Sequence, residues 1–285
     1  MVRIRTFAVG LESMRYFSII LVCFLALSSC SEYQKALQSE DVALKYKMGD
    51  SLFNLGKYGK ANRLFAQIAP QYRGKPQGQR LRYMYAKSFY EMRDYALAGY
   101  QFEQFENSYP QSEKAEEAGF LGAKSYYHLS PVYSKEQKET KEALQKLQLF
   151  INKYPESQYL SEANELIKEL DYKLEKKAYE IAKQYNKIAY FESSDYEASI
   201  KAFENFLIDH PGSVFREDAL FYRLDSAYQL AINSVPRKKE ERLKRSMDFY
   251  NAYMKYFAKS DKYTSELQTM KETMTSELAQ YTTKS

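Results

Sequence analysis

The chain holds 285 residues with 42 basic and 37 acidic side chains, 28 tyrosines, no tryptophan and two cysteines. Its mild net charge of +5 is evenly mixed along the sequence, which does not argue for nucleic-acid binding. A chain of this length can bury a sizeable core without help from disulfides.

The first element is an apolar run from Ser18 to Leu27, too short for the ~20 residues that span a bilayer. Arg3, Arg5 and Arg15 precede it and small residues follow, the layout of a secretory signal over residues 1–29. Glu12 interrupts the basic end, so that Met14-Arg15 would open a tidier signal. The run closes in Leu27-Ser28-Ser29-Cys30, which resembles the lipobox of bacterial lipoproteins. That resemblance implies cleavage ahead of Cys30 and a covalent lipid on its sulfur, with no other cofactor. Cys23 would leave with the signal, so Cys30 would be the sole mature cysteine and no intramolecular disulfide could form. Two or three acyl chains hold a protein durably at a membrane, whereas one is marginal. Ser31, next in the chain, is similar to the residues that release lipoproteins to the outer membrane.

Beyond a lipid-anchored linker (30–40), the sequence repeats itself. Small, aromatic or aliphatic, apolar and aromatic residues recur at offsets 0, 4, 7 and 11: Ala61/Phe65/Ile68/Tyr72, Ala98/Phe102/Phe105/Tyr109 and Ala143/Leu147/Phe150/Tyr154. Ser199/Phe203/Phe206/His210 and Ser246/Tyr250/Tyr253/Phe257 continue the series. This spacing puts all four residues on one helical face. Pro110, Pro155 and Pro211 stop three of the helices. A serine two residues beyond each proline, Ser112, Ser157 and Ser213, is placed to cap the next helix. The units resemble the tetratricopeptide repeat, a helix-turn-helix of 34 residues. The expected fold is all-α, a tetratricopeptide-like helical repeat solenoid of about five units. Repeats 1–3 fall in residues 41–155. A lengthened turn, Ser130 to Thr140, sits inside the third. Ile167, Leu170, Leu174, Ala178, Ile181, Tyr185 and Ile188 keep helical spacing and predict one long connecting helix. That helix opens the second half, 156–260, which carries repeats 4 and 5. Residues 261–285 read as a polar tail whose Leu267, Met270, Met274 and Leu278 form a capping helix before it frays.

No enzyme is legible. His210 stands where three other repeats have tyrosine and reads as packing, and His128 has no cysteine or carboxylate at metal-ligand spacing beside it. Phosphate loops, nucleophile elbows and dinucleotide glycine patterns are missing from the sequence. Glu116-Glu117 and Lys238-Lys239-Glu240-Glu241 look like solvated helix faces.

A lipobox followed by five such units resembles the BamD family of outer-membrane lipoproteins, part of the machinery that inserts β-barrel proteins. The most specific stretch runs from Ala143 to Tyr159, with Ile188-Ala189-Tyr190-Phe191, Tyr196, Ala198 and Phe203 to Pro211 completing the pattern. The resemblance covers nearly all of residues 30–260. It implies a periplasm-facing scaffold whose N-terminal repeats receive targeting segments of unfolded outer-membrane β-barrel proteins. The C-terminal repeats would dock the periplasmic domains of BamA, the insertase. The first helices of the repeats offer a matching stripe at i, i+4, i+7: Tyr46/Asp50/Phe53, Tyr83/Lys87/Tyr90 and Phe120/Lys124/Tyr127. A peptide with aromatics and a free carboxylate would suit these residues, and packing between helices would suit the aromatics equally well. The alternative function is another periplasmic tetratricopeptide scaffold, for example one coordinating cell-wall synthesis.

Overall fold

The computed structural model describes residues 31–189 and 194–282. The signal segment 1–29, Cys30, Tyr190 and Phe191 lie outside the described residues. Twelve α-helices run through the described residues: α1 (Ser31–Gln38), α2 (Val42–Asn54), α3 (Tyr58–Ile68), α4 (Gly78–Glu91), α5 (Tyr95–Ser108) and α6 (Ala115–Leu129). They continue as α7 (Lys138–Lys153), α8 (Leu160–Ile188), α9 (Ser194–Asp209), α10 (Arg216–Ile232), α11 (Pro236–Phe257) and α12 (Thr264–Thr282). No strand occurs among the described residues. The fold is all-α, of tetratricopeptide-like helical repeats. Two compact units divide the chain, one of residues up to 129 with 145–163, the other of 130–144 with the residues from 164 onward.

Within the first unit, α2 packs on α3, α3 on α4, α4 on α5 and α5 on α6. The repeat pattern is the reason. Ala61, Phe65, Ile68 and Tyr72 are buried, as are Ala98, Phe102 and Phe105, and Phe150 follows in α7. Each buried Phe or Leu contributes about 1.5–3 kcal/mol, so one such face per helix is enough to hold it down. Close approach needs a small partner residue. A Cβ on Gly49 of α2 would stand 2.6 Å from Phe65 Cε1, inside any allowed contact. The turns also repeat. Gly56 closes α2 with the Lys57 N–H donating to the Leu52 carbonyl, and Arg93 closes α4 with Asp94 N–H donating to the Phe89 carbonyl.

The second unit packs α9 on α10, α10 on α11 and α11 on α12. Ser199, Phe203 and Phe206 are buried in α9, and Ser246, Tyr250 and Tyr253 in α11. The lengthened turn belongs here and is tied around buried Gln137. Its Nε2 donates to the Val132 and Lys135 carbonyls at 2.8 and 2.9 Å, and its Oε1 accepts from Thr140 Oγ1 at 2.7 Å. Lys173 of α8 donates to Ser130 Oγ at 2.9 Å, pinning the start of the turn. Leu267, Met270 and Met274 of α12 are buried against this unit, so the helix expected to fray continues instead to Thr282.

The serines after the prolines do not cap the next helix. Ser157 Oγ accepts from Tyr159 N–H at 3.0 Å and donates to Glu116 Oε1 at 2.6 Å. Ser213 likewise accepts from Phe215 N–H at 3.1 Å and donates to Glu175 Oε2 at 2.6 Å. Ser112 accepts from Lys114 N–H at 3.0 Å and from Gln79 Nε2 at 2.5 Å. The helices begin too late for capping, at Ala115, Leu160 and Arg216. Each hydroxyl closes the turn ahead of its helix and clasps a polar side chain of an earlier one.

Candidate functional site

The stripe expected on α2, α4 and α6 divides by burial. Phe120 is 2% exposed, stacked on Tyr159 at 4.6 Å and tilted against Phe150 at 5.5 Å. Tyr83 is 9% exposed and meets Phe102 and Phe105 edge-on. Both rings are core: each sits where a first helix meets the second helix of its own repeat. Burial, reinforced by a hydrogen bond to Glu117, raises the Tyr83 phenol well above its usual range. The other four aromatics keep part of their surface in solvent. Tyr46 stacks on Tyr72 at 5.2 Å, and Phe53 meets Tyr58 edge-on at 5.4 Å. Tyr90 lies edge-on to Tyr95, with its phenol pushed up to about 12 by burial and the neighbouring Tyr95, Glu162 and Glu91. Tyr127 lies edge-on to His128.

The charged residues of the stripe form a ladder. Asp50 pairs with Arg80 at 2.6 Å, Lys87 with Glu117 at 3.1 Å and Lys124 with Glu162 at 2.5 Å. Each pair joins one repeat's first helix to the start of the next repeat's first helix. Lys87 and Lys124, expected to await a carboxylate from a ligand, are engaged within the protein. Glu116 and Glu117 correspondingly are not a solvated face. Glu116 holds Ser157, and Glu117 takes Lys87 together with Lys114 at 2.7 Å. Burial alone would raise the Glu117 carboxyl, but hydrogen bonds from Lys114, Tyr83 and Lys87 outweigh it and bring it down to about 2. Partly exposed pairs contribute about 0–1 kcal/mol each, so the ladder sets register more than stability.

Between α2 and α4 lies a hollow of about 460 Å³, within the size range of ligand pockets. Phe53, Tyr83, Met84 and Phe105 form its apolar part, with Arg80 and Lys114 as the cations of its lining. The Lys114 ammonium sits 5.5 Å over the Tyr83 ring. Both cations also hold carboxylates of the protein, Arg80 that of Asp50 at 2.6 Å and Lys114 that of Glu117 at 2.7 Å. Sequence reasoning named Phe53 and Tyr83 but missed Arg80 and Lys114. A stripe counted along single helices leaves out residues such as Lys114, which reaches in from the turn before α6.

The two histidines pack. His128 stacks on Tyr95 at 4.2 Å, and burial with Lys124 and Arg93 nearby lowers its pKa. His210 tilts against Phe206 at 5.2 Å. Among the described residues no cluster of His, Cys, Asp or Glu could hold a metal, and no helix is long and apolar enough to cross a membrane.

In the second unit the apolar spacing of α8 does not mark one buried face. Leu170 is fully buried, whereas Ile181, Tyr185 and Ile188 are about 40% exposed or more and border a shallow hollow. The buried face at that end is Tyr179, Ala182 and Ala189 instead. The helix thus carries a second apolar stripe in solvent.

Among known families, the model of YfiO, described as an outer membrane lipoprotein, matches residues 38–190, more than half of the chain. No curated protein matches the chain.

Proposed function

Because the chain belongs to the YfiO family of outer membrane lipoproteins, we propose that it is a lipid-anchored scaffold of the β-barrel assembly machinery. Acylated Cys30 would hold it to the outer membrane with the repeats in the periplasm. The hollow between α2 and α4 carries the reading. It combines an aromatic wall with Arg80 and Lys114, which would take the terminal carboxylate of an unfolded barrel protein's aromatic C-terminal segment by exchanging their bridges to Asp50 and Glu117 for it. Half-buried Tyr46, Phe53, Tyr90 and Tyr127 extend the contact surface along the same helices, while Tyr83 and Phe120 hold those helices in register. Lys87 and Lys124 act through their bridges rather than by meeting the peptide directly. In the second unit, the exposed Ile181/Tyr185/Ile188 stripe is an apolar surface on which a periplasmic domain of BamA would dock.

Titration of a labelled barrel C-terminal peptide tests the hollow. Arg80→Gln with Lys114→Gln should weaken binding several-fold and flatten its salt dependence, while BamA is still recovered from detergent-solubilised membranes. Unchanged affinity at low and high salt would remove the hollow as the peptide site. Recovery of cell-wall enzymes in place of BamA would favour the alternative scaffold.

A further inference from the structure

The turns that close the first helices of repeats 1 and 2 present cations and exposed apolar side chains together. Lys57, Lys60 and Arg63 are the only charged residues lining an open hollow of about 780 Å³, whose wall includes Met92. All three are exposed, and none has a carboxylate partner among the described residues. Leu55, two residues before Lys57, is 65% exposed, and Met92 is exposed as well. Exposed Leu and Met next to three cations without carboxylate partners is the combination that an interfacial face carries.

The patch also lies close to the head of the mature chain. The Lys60 ammonium sits 5.2 Å from the centroid of the Tyr33 ring. Tyr33 follows Cys30 by three residues, a length that spans at most about 11 Å even when extended. A lipid on Cys30 would therefore hold Lys60 within roughly a Debye length or two of the headgroups, with Lys57 and Arg63 three residues to either side of it in the chain.

We infer that Lys57, Lys60 and Arg63, with Leu55 and Met92, form a membrane-contact face that binds the anionic phospholipid headgroups of the leaflet holding the anchor. This rests on the acylated-Cys30 reading. The face orients the first repeats against the bilayer instead of leaving them to swing on the lipid.

The test uses the chain from residue 30 onward with Cys30→Ser, so that no acyl chain contributes. It is sedimented with vesicles of phosphatidylcholine alone or mixed with phosphatidylglycerol in equal parts. The parent should bind the mixed vesicles and not the neutral ones. Lys57→Gln/Lys60→Gln/Arg63→Gln should lose about fivefold per residue, on the order of a hundredfold together. Arg237→Gln/Lys238→Gln/Lys259→Gln removes the same charge elsewhere and should stay within about twofold of the parent. Equal binding to both vesicle types, an unaffected patch variant, or an equal loss in the two triple variants would each overturn the inference. So would a patch variant that keeps vesicle binding but loses BamA, since the face would then serve a protein. Acyl-probe labelling of the full-length chain in cells reads the anchor separately: an unlabelled Cys30 would end that reading and leave the vesicle result standing.

Discussion

Gly56 and Arg93 stand 37 residues apart at the same place in consecutive repeats, and both hold positive φ, at 70° and 63°. Both close a helix with the same pair of backbone hydrogen bonds, so the turn geometry is fixed and one of its two occupants is strained. Holding a side chain in the left-handed region costs ~1–2 kcal/mol, more than the ~0.5–1 kcal/mol of extra chain entropy a glycine brings. Arg93→Gly should therefore stabilise the protein by about 0.5 kcal/mol, and Gly56→Ala should destabilise it by about as much. Thermal melting followed by circular dichroism reads both; a lower melting temperature for Arg93→Gly would contradict the account.

Gly49→Ala sets two effects against each other. Alanine in mid-helix gains about 1 kcal/mol of propensity over glycine, but its Cβ would meet the fully buried Phe65 ring at 2.6 Å. Overpacking of this kind costs ~1–3 kcal/mol, so the net change should be destabilising. Adding Phe65→Leu should make the alanine harmless, seen as a positive coupling in a double-mutant cycle. Additive losses would mean that the two residues do not touch.

Glu117 should make the first unit acid-sensitive. Its folded pKa of about 2 lies below the ordinary 4.5, so its contribution is present above pH 4.5 and is lost as pH falls toward 2. Glu117→Gln should cost about 1–3 kcal/mol at neutral pH, with the gap to the parent closing across that window. Denaturant unfolding at a series of pH values measures it, and a gap independent of pH would show that the carboxylate charge is not what matters.

Asp225 works in the opposite sense. Burial raises its carboxyl, while hydrogen bonds from Asn186 and Gln229 partly counter this. A raised acid is most favourable below its unfolded pKa and becomes a liability as pH rises through the folded one. Asp225→Asn keeps an oxygen for the Asn186 amide, now 2.8 Å from Oδ2, and removes the buried charge. It should stabilise the protein by about 1 kcal/mol at neutral pH, or ~2–4 °C. A drop in melting temperature at that pH would show the charge to be needed.

The sequence was most legible where one helix carries the whole signal. The 0, 4, 7, 11 pattern located the buried faces of α3, α5, α9 and α11 because their burial follows from helical period alone. Charges were legible only as residues, not as pairs. Lys87 and Lys124 were singled out, yet their partners Glu117 and Glu162 sit 30 and 38 residues on, in the next repeat, where no local rule pairs them. The two faces of α8 were invisible for a related reason. Ile181, Tyr185 and Ile188 keep the same spacing as buried Leu170, and periodicity does not say which neighbour comes to cover a stripe.

The ladder has a direction that changes along it. Its first rung places the acid on the earlier helix, Asp50 to Arg80, and the next two place the base there, Lys87 to Glu117 and Lys124 to Glu162. Splicing out one period of 37 residues between them would leave every apolar position in phase while setting Asp50 opposite Glu117. The hydrophobic face would accept such a shortened chain, and the like-charge contact would count against it by about 1 kcal/mol or less. The repeats are therefore alike in shape, while the reversed polarity of its rung marks the first off from the two that follow.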